Sequence, residues 1–177
     1  MSDYITTHSG IHFQILDPKE EDLKIEDIAH ALSMMTRANG HYPEFYSVAQ
    51  HSIACAREAS VRNYDQRVVL ACLLHDASEA YLSDLTRPVK KNLMLYQQIE
   101  DQLQGRIYQH FLGSPLTKPE EKLVKNVDDA ELYHEFLYFM GEELMKHPPL
   151  LVRNHDYEVR DMKEVEKEFL KLYEEIR

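Results

Sequence analysis

Residues 70–91, LACLLHDASEAYLSDLTRPVKK, constrain the fold more than any other stretch of this chain. The stretch opens as a helix that is apolar almost all round, which is typical of a helix at the centre of a core. Four titratable residues then follow closely: His75, Asp76, Glu79 and Asp84. Because such groups are costly to desolvate unless something pairs them, an imidazole beside carboxylates predicts half of a divalent-metal site.

The composition predicts one mostly helical domain that spans residues 1–177. The chain has 5 Gly and 7 Pro among its 177 residues, so few residues interrupt helices. Residues 4–16 combine β-forming residues with a central Ser-Gly and predict a short hairpin or a pair of extended segments. We therefore expect an all-α fold, a helical bundle with a short N-terminal β-hairpin.

Apolar residues recur at helical spacing along the rest of the chain and predict the positions of the helices. Asp65 is suited to cap the N-terminus of the central helix. Neither an internal repeat nor a linker divides the pattern. The expected helices span residues 25–35, 46–60, 66–81, 92–111, 120–144 and 157–176.

Charge and hydropathy exclude several classes of partner. A net charge of -11 argues against binding a nucleic acid polymer, but it permits a small anionic substrate where a metal and a few basic residues dominate locally. No apolar run approaches the roughly 20 residues of a membrane span, and the polar start MSDYITTHSG does not resemble a signal peptide. We expect a soluble cytoplasmic protein with no membrane partner.

The two cysteines are expected to be reduced core thiols. Cys55 and Cys72 lie inside apolar helical patterns, without a partner at metal-ligand spacing. Most other histidines are expected in the hairpin, on the surface or at helix ends, without an inward-facing acid, whereas His30 and His41 are ambiguous. The first set comprises His8, His12, His110, His134, His147 and His155.

Two residues on other predicted helices extend the metal-ligand set. An isolated histidine such as His51, in SVAQHS, is more often a core or surface residue. Asp128, in LVKNVDDAEL, lies in an inward-facing stripe where a carboxylate needs a cation, whereas Asp129 should be solvated. A lone His-Asp pair is more often an N-capping or salt-bridged aspartate beside a hydrogen-bonded core histidine. The supply of further ligands on other helices favours a metal site instead. The combined set suits Mn, Fe, Co or Zn with positions left for water and substrate: His51, His75, Asp76 and Asp128.

These strings resemble the HD-domain metal-dependent phosphohydrolases, in which a histidine, an adjacent His-Asp pair and a distant Asp bind the metal. The resemblance is closer to the small bacterial 5′-deoxynucleotidases and the related short phage deoxynucleoside triphosphohydrolases. It covers about residues 27–132 and is carried by SVAQHS, LLHDASEAYLSDLTRPVK and VKNVDDAEL.

The resemblance implies roles for residues around the metal. Glu79 matches the acid that assists the attacking water or the leaving group, and Asp84 matches a residue near the sugar or the catalytic water. Lys90 matches the basic residue of a Pro-x-Lys segment, and Arg37 matches an arginine that approaches the substrate phosphate. One departure is Ala38, where the bacterial nucleotidases have a tryptophan that helps to exclude the ribose 2′-hydroxyl.

The expected function is metal-dependent hydrolysis of nucleotides, above all phosphate release from (deoxy)nucleoside 5′-monophosphates. One alternative is a deoxynucleoside triphosphate triphosphohydrolase, and another is a non-catalytic nucleotide-binding regulatory module. The family tendency and the amphipathic outer helices predict a homodimer or a larger homo-oligomer.

Overall fold

The computed structural model describes residues 3–177. Met1 and Ser2 lie outside the described residues. They are the first residues of the predicted domain and of the polar N-terminal stretch. The fold is mostly helical with a small antiparallel sheet, as the sequence predicts. Strands β1 (Ile5–Thr6) and β2 (His12–Phe13) pair with Ile5 opposite Phe13. Within residues 3–177, no helix is long and apolar enough to cross a membrane.

The helices follow the sheet in chain order, with short 3₁₀ turns at Glu20–Asp22 and Arg37–Gly40. Their bounds are α1 (Ile25–Met34), α2 (Val48–Val61), α3 (Gln66–Leu74), α4 (Glu79–Leu82), α5 (Arg87–Lys90), α6 (Met94–Leu112), α7 (Lys118–Met140) and α8 (Met162–Ile176).

Helix α3 lies at the centre of the core, as its apolar sequence predicts. Every residue from Val68 to Leu74 is buried, and the helix packs against α2, α6, α7 and α8. Burial of each large aliphatic side chain contributes about 1.5–3 kcal/mol to folding. The polar residues that follow Leu74 are therefore held against a rigid core.

The prediction of one helix over residues 66–81 is wrong, because α3 ends at Leu74 and the chain turns before α4 begins. The side chain of Gln104 on α6 satisfies the backbone groups that the break exposes. Its Nε2 donates to the carbonyl of Leu74 at 2.8 Å, and its Oε1 accepts from the amide of Ser78 at 3.0 Å. These bonds replace the helical ones, so the turn carries no unpaired backbone group at these two positions.

The other helices lie close to their predicted positions, and their ends follow local capping. Helix α7 ends at Gly141 rather than at residue 144, because Gly141 adopts a left-handed conformation, with φ of 65°. Helix α8 begins at Met162 rather than at residue 157, where the Asp161 side chain accepts from the amides of Lys163 and Glu164.

Candidate metal centre

His51 is fully buried on α2, and its ring is held in one orientation by Glu135 of α7. Nδ1 of His51 lies 2.6 Å from Oε1 of Glu135, so this nitrogen carries the proton that it donates to the carboxylate. At the start of α2, the Ser47 side chain accepts from the amide of Gln50, and the Gln50 side chain accepts from the amide of Ser47. The capped helix and Glu135 together direct Nε2 of His51 towards α3.

His75, in the turn after α3, is oriented in the same way. Its Nδ1 donates to the carbonyl of Cys72 at 2.8 Å, and its Nε2 lies 3.2 Å from Nε2 of His51. In the neutral rings both Nε2 atoms carry lone pairs that face each other. A shared proton or a bound cation between the two rings would remove this repulsion.

Two carboxylates meet at the same point. Oδ2 of Asp76 lies 3.2 Å from Nε2 of His75, and Oδ1 of Asp128 lies 3.3 Å from Nε2 of His51. Metal–ligand bonds of about 2.0–2.2 Å separate adjacent ligand atoms by roughly 3.0–3.5 Å. The spacing of these four side chains therefore fits one divalent ion.

The charge balance of the cluster also favours a cation. Burial acts to raise the pKa values of Asp76 and Asp128, but the two histidines outweigh it, so both carboxyl pKa values lie well below their ordinary range. Burial and Arg37 lower the pKa of His51, but Cys55, Glu135 and Asp128 raise it above its ordinary value. The site therefore attracts positive charge to Nε2 of His51, as a proton or as a metal ion.

The prediction that Cys55 has no partner at metal-ligand spacing is wrong. Its Sγ lies 3.5 Å from Nε2 of His51, and ligand atoms of His51, Cys55 and His75 lie within 4.8 Å of one another. Burial raises the pKa of the Cys55 thiol well above its ordinary value, against the attraction of His51. Cys55 therefore lies directly beside the predicted ligands, and a metal ion bound by His51 and His75 would lie close to its sulfur atom. Both Cys55 and Cys72 are buried free thiols, as predicted.

Glu79 lies at the start of α4 and is 3% exposed. Its Oε1 accepts from Nζ of Lys90 at 3.3 Å, and its Oε2 has no hydrogen-bond partner within residues 3–177. Burial and the charges of Asp76 and Asp84 raise the pKa of Glu79 well above its ordinary value, against the attraction of Lys90. This carboxyl group is therefore suited to hold a proton at a pH where an ordinary glutamate has lost it.

Arg37 is buried among the acids of the site. Its Nη1 lies 3.5 Å from Asp76 and 3.8 Å from Asp84, and its Nη2 donates to Glu135 at 3.4 Å. Burial acts to lower the pKa of Arg37, but these carboxylates raise it, so the guanidinium stays charged. Burial raises the pKa of Asp84, although Arg37 opposes the shift.

The backbone after Arg37 is strained. Ala38 and Asn39 both have φ of 51°, a left-handed conformation that asparagine tolerates but that is unfavourable for alanine. The strain is held in place because the amide of Arg37 donates to the carbonyl of Tyr46 at 2.9 Å. Ala38 faces the pocket beside Arg37.

The metal centre opens into a pocket of about 970 Å³ with two kinds of wall. One wall is apolar and comes from Leu132, Phe136 and Met140 of α7. The other contains ionic groups, among them Lys90, whose Nζ also donates to Glu100 at 2.7 Å. This ionic wall contains more carboxylates than basic side chains, so an anionic group would be favoured there only beside a bound cation.

Besides Cys55, sequence reasoning missed two residues that contact the predicted ligands. Glu135 lies seven residues after Asp128, which places both on one face of α7, and this spacing was a usable signal. Nη2 of Arg87 donates to Oδ2 of Asp128 at 2.7 Å, and its Nη1 donates to Asp129 at 2.8 Å. Asp129 is thus paired at the pocket rim rather than only solvated.

Two bacterial proteins are similar to this chain. It is 33% identical to the uncharacterized protein RCAP_rcc00048 of Rhodobacter capsulatus over an alignment of 174 residues. This alignment covers 91% of this chain and 89% of that protein. It is 36% identical to the uncharacterized protein YfdR of Escherichia coli K12 over an alignment of 108 residues. This alignment covers 61% of this chain and only 58% of YfdR. No protein-family model matches the sequence.

Proposed function

We propose that this chain, which belongs to the same family as RCAP_rcc00048 of Rhodobacter capsulatus, is an HD-domain metal-dependent phosphohydrolase that acts on nucleotides. The observation that carries the proposal is the convergence of two imidazoles and two carboxylates on one point at the floor of a pocket. The ligands are His51, His75, Asp76 and Asp128.

The ligand set suits Mn, Co, Fe or Zn, which all accept imidazole and carboxylate ligands. Bound there, such an ion supplies Lewis acidity that lowers the pKa of water and polarises a phosphoryl oxygen. Metal binding requires ionised carboxylates, and the lowered pKa values of Asp76 and Asp128 provide them at neutral pH.

Glu79 acts in the proposal as the general acid. Its raised pKa keeps the proton available for the leaving-group oxygen at a pH where an ordinary glutamate has lost it. Lys90 holds Oε1 of Glu79 and keeps a positive charge beside the reacting phosphate. Arg37 holds Asp76 and Asp84 in place and adds a second positive charge at the same end of the pocket.

The proposed substrate is a (deoxy)nucleoside 5′-monophosphate. The phosphate would lie at the ionic end of the pocket, and the base would pack against Phe136 and its apolar neighbours on α7. A volume of about 970 Å³ accommodates a whole nucleotide.

Arg87 favours a second candidate, removal of triphosphate from a deoxynucleoside triphosphate. Its guanidinium is 53% exposed at the rim, close to Asp128, and Lys125 lies beside it in the wall. These two cations would offset the charge of additional phosphate groups. The chemical identity of the product separates the two reactions, because a monophosphatase releases only inorganic phosphate.

The test is product analysis on a panel of nucleoside mono- and triphosphates with Mn²⁺ or Co²⁺, for wild type, Asp128→Ala and Asp129→Ala. Asp129 is the matched control, since it is the next residue of α7 and contacts only rim cations in the described structure. We expect Asp128→Ala to lose at least about 100-fold in rate, since it removes a ligand.

Asp129→Ala should stay within about fivefold of wild type, because partly exposed ion pairs contribute about 1 kcal/mol or less. Equal rates for wild type and Asp128→Ala would overturn the proposal. Tight nucleotide binding without turnover in any divalent metal would favour the regulatory module.

A further inference from the structure

A second buried cluster of ligand-type side chains lies outside this pocket. It joins Glu58 of α2, Glu131 of α7 and His155 of the segment before α8, with ligand atoms within 4.8 Å of one another. Both glutamates are 0% exposed, and the His155 side chain is 4% exposed. The prediction that His155 lacks an inward-facing acid is therefore wrong.

Glu58 is an ionised carboxylate with fixed partners. Its Oε1 accepts from Nε of Arg62 at 2.7 Å and from the amide of Val152 at 2.9 Å, and its Oε2 accepts from the amide of Arg153 at 3.0 Å. Burial acts to raise its pKa, but these donors lower it below its ordinary value. Glu58 thus holds the 150–157 segment against α2 and retains one free lone pair, on Oε2.

Glu131 has no comparable partners. Neither of its carboxylate oxygens has a hydrogen-bond partner anywhere in residues 3–177, although the residue is fully buried. Burial raises the pKa of Glu131, and His155 opposes the shift. A buried carboxyl group without a donor is costly, so this side chain needs a ligand that the hydrogen bonds do not supply.

The position of His155 indicates which ligand. Its Nε2 lies 2.9 Å from Oε1 of Glu131, yet the two atoms are not in hydrogen-bonding geometry. Adjacent ligands of one metal ion lie about 3 Å apart, with their lone pairs directed at the ion rather than at each other. The short distance, together with the lack of a well-aligned hydrogen bond, is what two ligands of a shared cation would show.

We propose that Glu58, Glu131 and His155 bind a second divalent transition metal, with Zn²⁺ as the ion that we would use to probe the site. One imidazole and two carboxylates form a ligand set that Zn²⁺ accepts. The three residues do not line the large pocket, so the ion would lie outside the proposed reaction site. It ties the 150–157 segment to α2 and α7, the two helices that carry His51 and Asp128.

The test counts Zn²⁺ bound by the full chain after chelator treatment, reloading and gel filtration. His75→Ala/Asp76→Ala serves as a background without the first site, and Glu131→Gln is added to it. We expect about two equivalents in wild type, one in the background and none once Glu131→Gln is added. Glu142→Gln, an exposed residue just after α7, is the matched control and should not change the count.

The melting temperature supplies a second readout. Zn²⁺ should raise it for the His75→Ala/Asp76→Ala background and should not raise it once Glu131→Gln or His155→Asn is added, because only ions bound to the folded state stabilise it. A background that binds no Zn²⁺ and gains no thermal stability from it would overturn the proposal. An unchanged Zn²⁺ count when Glu131→Gln is added to this background would also overturn the proposal. It would indicate that Glu131 and His155 share a proton instead.

Discussion

Glu135 connects the two charged residues that organise the pocket, although its own side chain is fully buried. One oxygen lies 2.6 Å from Nδ1 of His51, and the other accepts from Nη2 of Arg37 at 3.4 Å. Burial acts to raise its pKa, but His51 and Arg37 outweigh it, so the pKa is lowered and the carboxylate stays ionised. Glu135 is therefore a positioning residue for the metal ligand His51.

Substitution of Glu135→Gln should weaken metal binding by about 10–100-fold, because the carboxylate that orients His51 and increases its basicity is replaced by a neutral amide. The measurement is the dissociation constant for Mn²⁺ or Co²⁺, obtained by calorimetric titration of the stripped protein. Glu142→Gln is the control, and we expect wild-type affinity from it. Equal affinities for wild type and Glu135→Gln would show that the contact does not position His51.

The pH profile of phosphate release tests the role of Glu79. If Glu79 is the general acid, the rate falls as pH rises through its raised pKa, because the proton is then lost. Lys90 lowers this pKa by its positive charge, so Lys90→Met should raise the pKa and move the falling limb to higher pH. Lys171→Met, on the surface of α8 with 77% side-chain exposure, should leave the limb in place.

The rate of Lys90→Met should also fall, since Lys90 offsets charge on the phosphate in our proposal. The position of the limb, rather than the rate, is the diagnostic quantity. A limb that stays fixed or moves to lower pH in Lys90→Met would rule out Glu79 as the acid.

At the scale of elements, the two helices that carry ligands begin in the same way. Helices α2 and α7 both start with a capping box, formed by Ser47 with Gln50 and by Thr117 with Glu120. The two boxes differ in burial, because Ser47 is 0% exposed whereas the hydrogen bonds of Thr117 are exposed. Water can replace the hydroxyl group of Thr117 but not that of Ser47.

Ser47→Ala should therefore lower the free energy of unfolding by about 1–2 kcal/mol, and Thr117→Ala by about 0.5–1 kcal/mol. Urea denaturation of both variants beside wild type provides the measurement. A larger loss for Thr117→Ala than for Ser47→Ala would contradict the assignment of the buried cap.

The central helix shows what periodicity predicts and what it omits. The apolar run that ends at Leu74 correctly predicted a buried helix, because apolar residues on every face require burial on every face. It did not predict the break before Glu79, since the backbone partners there come from Gln104, on a different helix. A pattern within one segment carries no information about such distant partners.

At the scale of the whole molecule, separate parts of the chain meet around α3 to form one site. The sequence predicted the four metal-ligand candidates from short strings, and the structure brings all four together. The sequence pattern did not predict the contact of Arg87 with Asp128 or that of His155 with Glu131. A single arginine or histidine in a polar stretch is normally a surface residue. The predicted homo-oligomer stays a prediction.

Reconstitution of phosphate release by metal tests the central claim most directly. Protein stripped with a chelator is titrated with Mn²⁺ or Co²⁺, and phosphate release from a deoxynucleoside 5′-monophosphate is measured for wild type and Asp76→Ala. Our account predicts that stripped wild type is inactive, that activity returns as metal is added, and that Asp76→Ala stays inactive at the same metal concentrations. Full activity in the stripped protein, or in metal-free Asp76→Ala, would contradict it.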